Sequence, residues 1–155
     1  MENDMDHVVI GASFDPEHIP VEGMTPTRAT NESSGVDLRA DIAESHTLEP
    51  GASTLFPTGL SLQLPNHLEG QVRPRSGLAF KHGITVLNSP GTIDSDYRGD
   101  IGVILINHSD TPYVVGPTER IAQLVIARVE NAYFTYEFNM DETERGDGGF
   151  GHTGK

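Results

Sequence analysis

The sequence predicts an all-β sandwich or barrel, and three observations carry that prediction. The 155-residue length fits one domain. A chain of that size buries roughly 70% of its unfolded surface. Seventeen glycines and ten prolines break the chain into short pieces. The pieces between them are short and apolar, and some alternate with the period of a half-buried strand. Such a pattern favours packed strands over a helical bundle.

The elements follow in chain order. A first strand is expected around His7-Val-Val-Ile10, then an irregular acidic segment. Thr25 to Ser34 is a polar loop. Ser34-Gly-Val-Asp-Leu-Arg-Ala40 alternates Val36 and Leu38 against Asp37 and Arg39. Asp37 then faces away from the apolar side and reads, alone, as a surface carboxylate. Glu49-Pro-Gly51 and Phe56-Pro-Thr-Gly59 are turns. Leu60-Ser-Leu-Gln-Leu64 is a strand, Pro65-Asn66 turns the chain, and Leu68 to Val72 returns.

Arg73-Pro-Arg-Ser-Gly-Leu-Ala-Phe-Lys-His-Gly83 predicts a short helix over Gly77 to His82, capped by Ser76 and ended by Gly83. A helix start with a hydroxyl, free N–H groups and Arg75 beside it suits a phosphate. The same features also describe an ordinary capped turn.

Ile84-Thr-Val-Leu87 and Ile101-Gly-Val-Ile-Leu-Ile106 read as the two strands of a hairpin. Asn88-Ser-Pro-Gly91 closes the first. Between them lies the polar cluster of Asp94, Asp96, Tyr97 and Arg98. Loops on a rigid β scaffold are where chemistry is usually mounted. An EF-hand calcium loop is excluded by spacing, since its fifth and twelfth positions would be Arg98 and Leu105. Further on, His108-Ser-Asp110 is a turn and Glu119 to Ala127 a buried strand with Gln123 as an odd polar member. Gln123 needs a hydrogen-bonding partner there. Ala132 to Phe138 is expected to form a last aromatic strand.

Composition changes from Asn139. Residues 1–138 read as the β domain and 139–155 as a flexible arm. Arg145-Gly-Asp-Gly-Gly-Phe-Gly-His-Thr-Gly-Lys155 is too glycine-rich to pack a core. Gly149 to Lys155 fits Gly-x4-Gly-Lys, but no strand leads in and no helix follows, so it is not a P-loop. Gly-rich backbone can still wrap phosphates. Phe150 in such a segment suggests stacking on something flat.

The net charge of −13 speaks against a sequence-independent nucleic-acid binder. Six of the eight arginines (Arg39, Arg73, Arg75, Arg98, Arg120, Arg145) fall in or beside the Gly-rich motifs. Arginines focused on an acidic body point to a small anionic ligand. There is no cysteine, hence no disulfide framework and no thiol nucleophile. No apolar run has transmembrane length, and the acidic N-terminus is the reverse of an export signal. A cytoplasmic location is expected, so the glycosylation patterns at Asn31 and Asn107 read as accidents.

Five pieces in order carry a family resemblance. They are Gly35-Val-Asp-Leu-Arg-Ala40, Arg73-Pro-Arg-Ser-Gly-Leu-Ala79, Gly91-Thr-Ile-Asp-Ser-Asp-Tyr-Arg-Gly99, Glu119-Arg-Ile-Ala-Gln-Leu-Val125 and Arg145-Gly-Asp-Gly-Gly-Phe-Gly-His-Thr-Gly154. Together they resemble the five motifs of the trimeric dUTP diphosphatases (dUTPases), from about residue 25 onward. The resemblance implies a jelly-roll-like distorted barrel with one short helix. It implies a homotrimer with three sites at subunit interfaces, each closed by a C-terminal arm.

It also implies residue roles. Asp94 would activate the water that attacks the α-phosphate of dUTP, giving dUMP and pyrophosphate. Tyr97 would lie under the deoxyribose. Asn88 and the backbone around Gly91, Thr92, Ile93 and Gly102 would read uracil. Arg75, Ser76, Gly77 and Gln123 would hold phosphate oxygens, and Arg145 would grip the triphosphate. Phe150 would stack on uracil while Gly151, His152 and Thr153 close the lid. Mg²⁺ would bridge the phosphates, with Asp37 reaching its waters. Asp100 and Gly102 depart from the commonest family residues. Two rivals share the fold, a dCTP deaminase-related enzyme and a non-catalytic nucleotide sensor. The arm and Ile93-Asp-Ser-Asp-Tyr97 match dUTPases better than deaminases.

Overall fold

The computed structural model describes residues 9–14, 24–136 and 139–149. Within them the chain forms eleven strands and one helix. The strands are β1 (Gly11–Phe14), β2 (Gly35–Arg39), β3 (His46–Leu48), β4 (Ser53–Phe56), β5 (Leu60–Gln63) and β6 (Leu68–Arg73). After the helix α1 (Ser76–His82) come β7 (Ile84–Val86), β8 (Gly91–Ile93), β9 (Val103–Asn107), β10 (Tyr113–Val115) and β11 (Arg120–Arg128). The all-β, jelly-roll-like expectation holds.

Two sheets frame the molecule. One has the order β2-β11-β6-β8, the other β4-β9-β7. Two-stranded pairs β1-β5 and β10-β3 complete the architecture. The strand pairs are antiparallel. β11 is the longest strand and pairs on both edges, with β2 and β6. Its apolar run is therefore buried in the middle of a sheet.

Alternation decides what faces inward. In β9, Val103, Leu105 and Asn107 point to the core and Ile104 and Ile106 do not. Leu38, Phe56, Leu60, Val72, Ile84, Ile101 and Ile121 join them in one cluster. Each such side chain contributes roughly 1.5–3 kcal/mol by leaving water. Asn107 is the polar exception in β9 and is fully satisfied. Its Nδ2 donates to the Leu48 and Thr111 carbonyls at 2.9 and 2.8 Å. Its Oδ1 accepts from Ser109 N and Oγ at 2.9 and 2.7 Å. The Asn107 amide is thus spent inside the fold and is buried away from any modifying enzyme.

Several sequence expectations change. The first strand starts at Gly11, where the ladder with β5 begins; His7 and Val8 lie outside the described residues. The described part of the expected last strand, Ala132 to Tyr136, is not a strand. A strand needs a hydrogen-bonding neighbour, and none of the described strands lies beside it. Tyr133, Phe134 and Tyr136 are 85–97% exposed. The helix begins one residue early. Arg75 is its N-cap, without a side-chain cap bond, and Ser76 is its first residue. The first helical bond, Ala79 N to Arg75 O at 3.1 Å, sets that start. Gly83 ends the helix as expected, with φ 66.

The hairpin is more elaborate than expected. β7 and β9 do pair, Val86 opposite Leu105. The connection between them contains β8, which leaves that sheet and pairs with β6. The polar cluster is therefore strung between two sheets. No helix among the described residues is long and apolar enough to cross a membrane.

Candidate active site

That crossover creates a cleft of about 680 Å³. Its floor comes from both sheets, through Leu55, Val72 and Ile104. Its polar rim is Asn88, Asp94, Tyr97 and Asp100, beside the β8 backbone of Gly91, Thr92 and Ile93. Pro57 and Gly102 complete the lining. Seven expected site residues thus meet here: Asn88, Gly91, Thr92, Ile93, Asp94, Tyr97 and Gly102. Leu55, Pro57, Val72 and Ile104 were not expected. They are apolar residues of strands and turns distant in sequence, with no chemical signature.

Local hydrogen bonds build the rim. Asp94 to Tyr97 is a tight turn, with Tyr97 N donating to Asp94 O at 3.1 Å. Arg98 folds back and donates to the carbonyls of Ser95 and Tyr97 at 2.7 and 2.9 Å. It braces the turn rather than facing a ligand. Asp94 itself is exposed, and its carboxylate has no hydrogen-bond partner among the described residues. A carboxylate left free beside a cleft can accept a proton from water. The exposed Leu55 side chain folds over Gly102, where a Cβ would lie 2.6 Å from Leu55 Cδ1 and would push that side chain aside.

β8 is an edge strand. Its far edge carries N–H and C=O groups that no described strand pairs. Partial burial pushes the Asp100 carboxyl above the ordinary carboxylate range. Repulsion from Asp41 adds to this, while hydrogen bonds from Thr58 and Gly59 pull the other way.

A second polar group forms around Asp37. Asp37 is half-buried, not a free surface carboxylate. Its Oδ1 lies 3.3 Å from Arg75 Nε and its Oδ2 3.2 Å from Arg120 Nη1. Arg75 Nη1 also donates to the Arg120 carbonyl at 2.9 Å. Gln123 stands opposite both Asp37 and Arg73 in the ladders, and its Nε2 donates to Pro74 O at 3.0 Å. Three sequence-distant motifs therefore meet on β2, β11 and the start of α1. Ser76 and Gly77 are exposed beside them, and nothing lies within 4 Å of a Cβ added at Gly77.

The two groups stand on different strands. β6 separates β11 from β8, so those strands run roughly 10 Å apart at ordinary strand spacing. Arg145 joins neither group. Its Nε donates to Gly148 O at 2.8 Å in a local turn, where Gly146 has φ 53. Phe150, Gly151, His152 and Thr153 lie outside the described residues. Among the described residues no three His, Asp or Glu side chains converge as a metal site.

Known proteins agree with this architecture. The family model described as dUTPase matches residues 22–154. A deoxyuridine 5′-triphosphate nucleotidohydrolase of Chlamydia pneumoniae is 56% identical, with 85% of this chain and 92% of that protein covered. One from Syntrophotalea carbinolica is 51% identical, covering 86% and 90%. A solved structure of a Staphylococcus bacteriophage 80alpha dUTPase variant with dUpNHpp superposes with a TM-score of 0.77. It covers 95% of this chain and 99% of that one at 22% identity, a likeness of fold. By the length of the family match and the identity of these relatives, the chain belongs to the dUTPase family.

Proposed function

We propose that the protein is a dUTP diphosphatase that hydrolyses dUTP to dUMP and pyrophosphate by attack of water on the α-phosphate. Such an activity keeps uracil out of DNA and supplies dUMP for dTTP synthesis. The observation that carries the reading is the Asp94 carboxylate at the mouth of the cleft, without a hydrogen-bond partner among the described residues. Beside it stand Tyr97, Asn88 and an unpaired backbone edge. Asp94 takes the proton of the attacking water. The β8 backbone and Asn88 read the uracil edge, and the Tyr97 ring lies against the deoxyribose. Gly102, with Leu55 folded over it, narrows the base pocket.

Arg75, Ser76, Gly77 and Gln123 hold phosphate oxygens, and Arg145 joins them from the arm. Residues 139–155 act as that arm, with Phe150 on the uracil and Gly151, His152 and Thr153 closing behind it. The Asp94 and Asp37 groups stand on different strands, and the working site joins copies of the chain in a homotrimer. Exposed Tyr133, Phe134 and Phe80 supply apolar surface for such contacts. Sedimentation velocity tests the trimer.

Mg²⁺ suits this donor set as a cation carried mainly by the substrate. Such an ion keeps several waters and needs few protein ligands. The half-buried Asp37 carboxylate is the hard oxygen beside the phosphate-binding arginines. When bound, the ion neutralises triphosphate charge. A cytoplasmic setting accords with the absence of cysteine.

The deciding experiment is pyrophosphate release from dUTP, dCTP, dTTP and UTP in parallel. Release from dUTP alone supports the reaction and both recognition readings. Binding without release points to a sensor, and ammonia from dCTP to a deaminase.

A further inference from the structure

Tyr97 is 45% exposed, so packing alone does not hold its ring. Two local contacts do. The ring folds over Gly99, where an added Cβ would lie 2.4 Å from the Tyr97 hydroxyl oxygen. That hydroxyl donates to the Asp100 carbonyl at 2.9 Å. The orientation of the ring therefore depends on where the Asp100 carbonyl is held.

Thr58 holds it. Thr58 sits in the turn after β4 and is only 2% exposed. Its hydroxyl donates to the Ile101 carbonyl at 2.7 Å and accepts from Leu60 N at 3.3 Å. It also lies 3.4 Å from the Asp100 carboxylate. Ile101 N in turn donates to Leu60 O at 2.8 Å. The Asp100–Ile101 backbone is thus stitched to a buried turn, and the Tyr97 hydroxyl hangs from that stitch. Valine would keep the shape of Thr58 and lose every bond its hydroxyl makes, leaving the Ile101 carbonyl and Leu60 amide short of a partner.

We propose that Thr58 is a positioning residue that sets the Tyr97 ring through the Asp100–Ile101 backbone, and so sets discrimination between deoxyribose and ribose. The proposal rests on the assignment of Tyr97 to the sugar. Small displacements of a positioning group have large kinetic effects. Here the contact displaced is the discriminating one, the Tyr97 ring.

The test is the ratio of kcat/KM for dUTP over UTP in the full-length protein, for Thr58→Val, Thr58→Ser and the Tyr97→Phe background. The ratio is independent of the fraction of enzyme that is folded, so lost stability does not mimic the effect. The Val variant should lower the ratio about threefold to tenfold, the range expected for one buried hydrogen bond. The Ser variant, which retains the hydroxyl, should restore it. In Tyr97→Phe the link to Asp100 is already gone, so adding Thr58→Val should change the ratio no further. An unchanged ratio in Thr58→Val, or an equal loss in both backgrounds, overturns the proposal while the sugar assignment stands. A wild-type protein without preference for dUTP overturns the sugar assignment and the proposal together.

Discussion

Asp94 and Asp37 carry the same functional group in opposite surroundings. Asp94 stands at the rim of a cleft already shaped by two sheets, with no partner among the described residues. Asp37 is held between Arg75 and Arg120, each within 3.3 Å. The cleft is thus built before any ligand arrives, and its cost in rigidity is carried by the core beneath it. The arginine group is partly charge-compensated from within, one carboxylate facing two guanidiniums. An incoming polyphosphate must compete with Asp37 for the two guanidiniums, or bring a cation that Asp37 can face. On the proposed reading, the base meets a cleft that is already shaped, whereas the phosphates exchange partners with an existing ion-pair group.

This contrast can be broken experimentally, most sharply at Asp94. Replacing it with Asn should leave binding of a non-hydrolysable dUTP analogue near normal and cut kcat by about 10²–10⁴-fold, the usual worth of a general base. Calorimetric titration beside single-turnover kinetics checks both halves. Near-normal turnover would remove Asp94 from the chemistry.

Removal of residues 145–155 should come next in size. The remaining β domain should keep its thermal unfolding midpoint, because its core lies elsewhere, while most dUTP turnover disappears. Full activity of the shortened chain would leave the arm without a role.

Arg75→Lys should act on the phosphate side. Lysine keeps the charge but loses the planar fork. A charge-assisted hydrogen bond contributes about 1.5–3 kcal/mol, so KM for dUTP should rise roughly 10–100-fold. Stability should move by less than about 1 kcal/mol, since the Arg75–Asp37 pair is only partly shielded from water. Chemical denaturation and steady-state kinetics separate the two effects. A large loss of stability with unchanged KM would make the arginine group structural.

The smallest expected effect concerns Asp100. Its folded-state pKa is raised, mainly by partial burial. The folded protein therefore binds this proton more tightly than the unfolded chain does. The contribution of Asp100 to stability is present below the ordinary carboxylate pKa. It is lost as pH rises through the folded value. Asp100→Asn removes that dependence, so the variant should gain on wild type in thermal midpoint between acid and neutral pH. An equal difference at every pH would mean that Asp100 is not strained by its charge.

Much of the site was legible because its chemistry is written in short stretches. Gly91 to Gly99 carries its turn, carboxylate and aromatic within nine residues, and the structure gathers them as spaced. Gly83 marked the end of α1 for the same local reason. The misreadings were non-local. β3, β4 and β10 are only three or four residues long and exist through their partners. Ala132 to Tyr136 has strand-forming residues and pairs with none of the described strands. The Ser76 hydroxyl was a reasonable cap, yet Arg75 occupies the cap position while its side chain is committed to Asp37 and Arg120.

By itself the sequence determined the fold class, the five motifs and the functional groups that each supplies. Residue type and short spacing are local properties, and local conformation follows them. Only the tertiary structure decided that β8 leaves the hairpin for β6, that Leu55 and Ile104 floor the cleft, and that Thr58 holds the Asp100–Ile101 backbone. It also decided that Asp37 faces two arginines. These outcomes depend on which distant strands share hydrogen bonds and in which register. A shift of one residue turns every side chain to the other face, and such long-range pairings leave no mark in any short stretch of the chain.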